Sequence, residues 1–291
     1  MSCPDCFTGT IHPGAPKGHV TTLHGLQTYV SEPPVPPEEV KGIVVIVPDA
    51  FGWEFVNNRL LADHYADMGS FRVYLPDFMK GTAAPFWVLE TIRAVSRTGS
   101  LWDWVSKPYH IATLLFGVAP FMITNRPSKS YPLVESFFRS IRHSPEGDLP
   151  LGAAGFCWGG KHTILLAHGA STTVTNGRTG EEENKNLIDA GFTGHPSMLS
   201  LPGDIEKIAI PVSFALAELD AILKGREIEV VQKVMASKEE GVGGGGEVKV
   251  YLGAGHGFCV RADTAVEDSA RQCGEAEEQA VEFFRRWFAK V

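Results

Sequence analysis

Residue 157 is a cysteine set in Gly155-Phe156-Cys157-Trp158-Gly159, the spacing of a tight turn between a strand and a helix. A side chain at the tip of such a turn points away from its sheet. Glycines flank it because neighbouring backbone passes too close for a β-carbon. The backbone N–H of Trp158, at the helix start, can donate to an oxyanion, and the helix N-terminus favours a thiolate. A thiol needs a base at neutral pH, and the base needs an orienting carboxylate. Asp220, after the run VSFALAEL, and His256, in GAGHGF, supply these groups in the chain order nucleophile, acid, histidine. Glu218 is a rival acid two positions earlier, on the same strand face as Asp220. The competing readings are a buried cysteine in a glycine-rich turn, a helix-capping Asp and a surface His. A dinucleotide-binding turn needs G-x-G-x-x-G, which GFCWGG lacks. The chemistry expected is acyl transfer through sulfur, with no metal and no organic cofactor.

These residues need a scaffold that gathers strand ends. GIVVIVPD (42–49) is a continuous apolar run, the mark of a strand buried on both faces. Residues 18–31 read as two short strands about His24-Gly25. Further strands are expected at 71–77, 151–156, 187–195, 211–219 and 248–252. Helices are expected at 56–69, with Leu60, Leu61, His64, Tyr65 and Met68 inward, and at 131–143, 158–169 and 225–239. A closing helix over about 264–289 turns Val266, Ala270, Cys273, Ala280, Phe283, Phe284 and Trp287 inward. Alternating buried strands and helices imply a doubly wound, mostly parallel α/β sheet with helices on both faces. Residues 1–17 read as a mobile arm before a single domain, 18–291. Residues 78–130 read as a cap-like insertion, whose Trp87, Trp102, Trp104, Phe116 and Phe121 line a pocket or pack in the core. The polar stretch 171–186 reads as a mobile excursion.

The chain has 291 residues, 44% apolar and 21% charged, with a formal charge of −8 and a pI near 5.7. An acidic balance argues against nucleic-acid or anionic-membrane partners, which need a basic face. Five cysteines in a chain of this size imply no disulfide framework. The N-terminus lacks the basic-then-apolar pattern of a signal peptide, and the apolar run 111–123 is too short to span a bilayer. A reduced, cytoplasmic protein, monomer or homodimer, is expected. Cys3-Pro-Asp-Cys6 has the spacing of a redox pair or half a zinc site, with no second such pair to complete it.

The sequence resembles the dienelactone hydrolase family of α/β-hydrolases, in a fungal-type branch, over about residues 18–290. The resemblance is carried by GFCWGGK (155–161), PDAFGW (48–53), LPDFMKG (75–81), Asp220 and HGFCVR (256–261). It implies an α/β-hydrolase fold, a Cys157–His256–Asp220 triad, and an oxyanion hole from the N–H groups of Trp158 and Ala50. It also implies that Asp49 stands where the family's acidic partner of the resting thiol lies, a place that a structural turn residue could equally fill. By the same resemblance Arg261 and Lys80 meet a substrate carboxylate. Lysine lacks the bidentate fork of arginine. Phe51, Trp53 and His195 belong to the expected substrate site, though His195 could equally be packing. Carboxylic ester hydrolysis is the expected activity, with small dienelactones or bulkier aromatic or polyketide-type lactones as substrates. The alternative is a cyclase, isomerase or lyase on the same scaffold, with His256 or Asp49 as general base.

Overall fold

The computed structural model describes residues 9–96, 101–175, 181–238 and 245–291. Cys3 and Cys6, the Trp102 side chain and the glycine run 241–244 lie outside the described residues. The elements in chain order are β1 (His19–Leu23), β2 (Leu26–Ser31), β3 (Ile43–Val47), α1 (Val56–Gly69), β4 (Arg72–Pro76), α2 (Trp87–Ser96), α3 (Leu101–Thr124), α4 (Pro127–Arg142), β5 (Leu151–Phe156), α5 (Trp158–Leu166), β6 (Ser171–Thr175), β7 (Glu182–Asn186), β8 (Ala190–Gly194), α6 (Gly203–Glu206), β9 (Val212–Ala217), α7 (Gly225–Ala236), β10 (Glu247–Tyr251), α8 (Phe258–Arg261) and α9 (Glu267–Phe288).

Eight strands form one sheet in the order β1-β2-β4-β3-β5-β8-β9-β10. Strand β2 pairs antiparallel with both of its neighbours, and the remaining pairings are parallel. The chain first winds outward from β3 through α1 to β4, then returns past β3 to β5. The winding direction therefore reverses between β3 and β5, and a crevice is expected beyond their C-terminal ends. Helices α1 and α9 cover one face of the sheet, and α4 and α5 cover the other. Every residue of β3, β5, β8 and β9 is buried, as continuous apolar runs require. Among the described residues no helix is long and apolar enough to cross a membrane.

Several expectations are corrected. Helix α1 turns Leu61 and Tyr65 inward as expected, but His64 is exposed and pairs with Glu277, while Asn58 and Asp63 are buried. The buried Asp63 is satisfied by Tyr29 Oη and Ser31 Oγ, both at 2.7 Å, and by the Lys17 N–H. Polar partners thus override the apolar count. In α9 Val266 is the exposed N-cap, and the inward face runs through Cys273, Ala276, Ala280, Phe283, Phe284 and Phe288. Residues 171–175 and 182–186 pair as an antiparallel ribbon, with Thr172 and Val174 turned inward by strand alternation. Residues 9–17 are tied down. Thr10 N–H donates to Arg261 O, and the Asn57 amide bridges Thr10 O and Val260 O at 2.8 Å each.

The segment 78–130 holds α2 and α3, which pack on each other, with the Trp87 ring against Gly117. Phe121 is buried and meets Trp158 edge-on, but Trp104 is 61% and Phe116 80% exposed. Trp87 is 43% exposed. The aromatic pocket expected from Trp87, Trp104 and Phe116 is therefore absent from the described residues, because the solvent face of α3 is itself apolar.

Candidate active site

Cys157 joins β5 to α5 with φ 52° and ψ −111°, a conformation in which a residue with a β-carbon is strained. The turn is held from three sides. Cys157 N–H donates to Gly194 O at 3.2 Å, and its carbonyl accepts from Gly160 N–H at 3.1 Å and Ser197 N–H at 3.0 Å. A β-carbon at Gly159 would run into the Val47 carbonyl, and one at Gly155 into Gly159 and Thr163. Both flanking glycines are thus required by close approach.

His256 Nδ1 lies 2.8 Å from Asp220 Oδ2, and both side chains are buried. A carboxylate only accepts, so Nδ1 carries the proton and Nε2 is the basic nitrogen. Asp220 Oδ1 accepts from the N–H groups of Ile222 at 2.8 Å and Leu223 at 3.3 Å, which fixes the carboxylate. Glu218 is exposed and accepts from Gly253 N–H at 2.8 Å, away from this arrangement. Burial works against protonation of His256. The charge of the Cys157 sulfur and the bond to Asp220 outweigh it and push the ring up to about 9. The sulfur and the imidazole are therefore electrostatic neighbours. The Cys157 Sγ–H also points to Ser197 Oγ at 3.8 Å.

Asp49, after β3, is fully buried. Its Oδ2 meets the Arg261 guanidinium, and its Oδ1 accepts from Asn58 Nδ2 at 3.1 Å and Phe51 N–H at 3.2 Å. Burial pushes the Asp49 carboxyl up, against the pull of Arg261, and the Cys157 charge adds to the rise. Arg261 is buried too, 5.3 Å over the Phe51 ring. The guanidinium expected to meet a substrate carboxylate is thus already met by Asp49. Lys80 is exposed in a turn closed by Asp77, and it lines neither cavity described below. His195 is buried with φ 39°. Its ring stands edge-on to His256, with centroids 4.9 Å apart at 82°, and both ring nitrogens lack a partner among the described residues. Burial, then the charges of His256 and Arg261, hold it well below the usual histidine range, so it stays neutral.

The Trp158 N–H belongs to the first turn of α5 and has no acceptor within the helix. Ala50, buried in the turn after β3, has an N–H paired with no acceptor among the described residues. Asn58 and Ser197 complete the site. Asn58 left a signal, a polar residue on the inner side of α1, whereas Ser197 was visible only as a neighbour of His195.

Cys157 is 1% exposed, so the sulfur lies beneath packed side chains, and two cavities are lined by sequence neighbours of the site residues. One, of about 240 Å³, is lined by Phe51, Trp53, Ala84 and Phe86. The other, of about 440 Å³, lies between residues 196–202 and 222–230.

The sequence model described as the dienelactone hydrolase family matches residues 26–288. The chain belongs to the dienelactone hydrolase family. Among curated relatives, "Hydrolase tropI" of Talaromyces stipitatus is 28% identical over 99% of this chain and 96% of its own. "Hydrolase pyvD" of Aspergillus violaceofuscus is 22% identical over 98% and 96%. A "Carboxymethylenebutenolidase homolog" of Rattus norvegicus is 24% identical over 92% and 87%. A solved putative dienelactone hydrolase from Klebsiella pneumoniae superposes with a TM-score of 0.60 at 18% identity, covering 90% of this chain and 93% of that one. At such identities the solved structure speaks for the α/β-hydrolase fold alone. Family membership makes this dienelactone hydrolase-like chain a hydrolase.

Proposed function

We propose that this dienelactone hydrolase-family enzyme cleaves an ester or lactone through a thioester on Cys157. Nε2 of His256 already carries the Sγ proton at neutral pH, and the thiolate attacks the carbonyl carbon. The N–H groups of Trp158 and Ala50 receive the oxyanion. Collapse breaks the C–O bond, and the alkoxide leaves with the proton from His256. Water then attacks the thioester, giving its proton to His256, and the acid departs as the thiol is restored. Asp220 holds the imidazole tautomer and stabilises its charged form. The catalytic domain of this reading runs over 18–291, with residues 78–130 as its insertion.

The observation that carries the reading is the buried His256–Asp220 bond at 2.8 Å, with the Cys157 charge bearing on the same ring. The test is turnover of aryl esters and lactones by Cys157→Ala. Loss of turnover with unchanged circular dichroism is the expected result, together with an acyl adduct on the wild-type chain by intact mass. Retained turnover would sink the covalent route.

A further inference from the structure

The larger cavity is tied to the catalytic groups at both walls. On one side, Met198 follows Ser197, whose hydroxyl is 3.8 Å from Cys157 Sγ. On the other, Ile222 and Leu223 line the cavity and donate their N–H groups to Asp220. The remaining wall is apolar, from Leu199, Leu201 and Val230. Its charged residues stand at the rim. Glu227 accepts from Lys224 N–H at 2.7 Å, and Arg226 is exposed. A volume of about 440 Å³ falls in the range of sites that enclose a drug-sized ligand, about 300–1,000 Å³.

We infer that this cavity receives the acyl portion of the substrate, and that this portion is a bulky uncharged alkyl or aryl group. The inference rests on Cys157 as the nucleophile, because the acyl group is the part that stays bonded to Sγ. Two observations set its chemistry. The cavity wall that begins at the neighbours of Ser197 offers carbon, and the Arg261 guanidinium, which does not line the cavity, is bound to Asp49. Each methylene moved from water to such a wall favours the complex by about fourfold.

The test is kcat/KM for p-nitrophenyl acetate, butyrate, hexanoate and benzoate, and for the succinate half-ester as a carboxylate-bearing probe. The expected result is a rise of at least about tenfold from acetate to hexanoate, with the half-ester slower than butyrate. Val230→Trp, which fills the cavity, should invert the hexanoate-to-acetate ratio. Leu199→Ala, which widens it, should move the optimum to longer chains and serves if the tryptophan variant fails to fold. Faster turnover of the half-ester, a flat acyl series, or a hexanoate-to-acetate ratio untouched by a folded variant overturns the inference. A parallel series varying the alcohol should not respond to these substitutions, and a response there also overturns the assignment to the acyl group. Absence of turnover on every ester by the wild-type enzyme would instead count against the proposed function.

Discussion

Replacing Asp49 with alanine strands a guanidinium. Arg261 and Asp49 are both sealed from solvent, and arginine cannot shed its charge. Breaking such a buried pair from the carboxylate side costs about 3–5 kcal/mol. The loss also leaves Asn58 Nδ2 and Phe51 N–H without the acceptor they now share. Against a typical stability of about 5–15 kcal/mol, this is a large fraction. At roughly 2–4 °C per kcal/mol for a large single domain, the melting temperature should fall by roughly 6–20 °C. The reverse change, Arg261→Met, should cost less. Burial already raises the Asp49 carboxyl, so it can take up a proton and become neutral where arginine cannot. The double variant Asp49→Ala/Arg261→Met should recover most of the single-variant loss. Urea melts of the four proteins at pH 7 measure all three differences. The reasoning fails if Asp49→Ala melts within about 1 kcal/mol of wild type, or if the double variant is no more stable than Asp49→Ala.

Asp220→Asn should lower kcat on a p-nitrophenyl ester by a factor on the order of 10³–10⁴, since the amide no longer selects the tautomer that leaves Nε2 basic; a loss under tenfold in a folded variant would count against that role. His256 is held above its ordinary value, so its protonation stabilises the fold fully below about 6.5 and this stabilisation is lost as pH rises through about 9. Urea melts should therefore show stability falling across that window, and Cys157→Ala, which removes the sulfur charge, should move the His256 midpoint downward in an NMR titration; an unmoved midpoint would refute the coupling.

The turn around Cys157 and the strand-helix alternation were legible because each is local. A continuous apolar run marks a two-sided strand, and GFCWGG carries its own turn. The choice between Glu218 and Asp220 was not legible. Both follow the same strand, and what separates them is a bend that sends one to Gly253 and the other to His256. Helix α1 was partly misread because its inward Asp63 is satisfied by Tyr29 and Ser31, about thirty positions away. Trp104 and Phe116 were misread for the opposite reason, whereas Phe121 is buried as expected. Apolar residues were assigned to an interior, and the solvent face of α3 keeps Trp104 and Phe116 exposed. Pairing of the ribbon at 171–186 rests on alternation of Thr172 and Val174 among polar neighbours, too short a signal to outweigh the composition.

The Asp49–Arg261 pair bears on substrate choice as well as on stability. In the resemblance drawn from the sequence, Arg261 meets a substrate carboxylate and Asp49 holds the thiol. In the folded chain the two groups meet each other, 0% exposed, beside the ring of Phe51. A substrate anion entering this centre would have to compete with Asp49 for Arg261. It would also sit near Asp220 and near the sulfur, whose charge already bears on both Asp49 and His256. Each of those encounters is between like charges in a buried, low-dielectric setting, where repulsion is strongest. A neutral acyl group meets none of it, and gains by burying carbon against Leu199, Leu201 and Val230. If Cys157 is the nucleophile, as proposed, the same ion pair would bias the enzyme away from small acidic lactones and toward larger neutral ones. Freeing Arg261 by Asp49→Ala should raise turnover of the succinate half-ester relative to butyrate, at the cost in stability derived above. If the ratio falls instead, the pair does not set the charge preference.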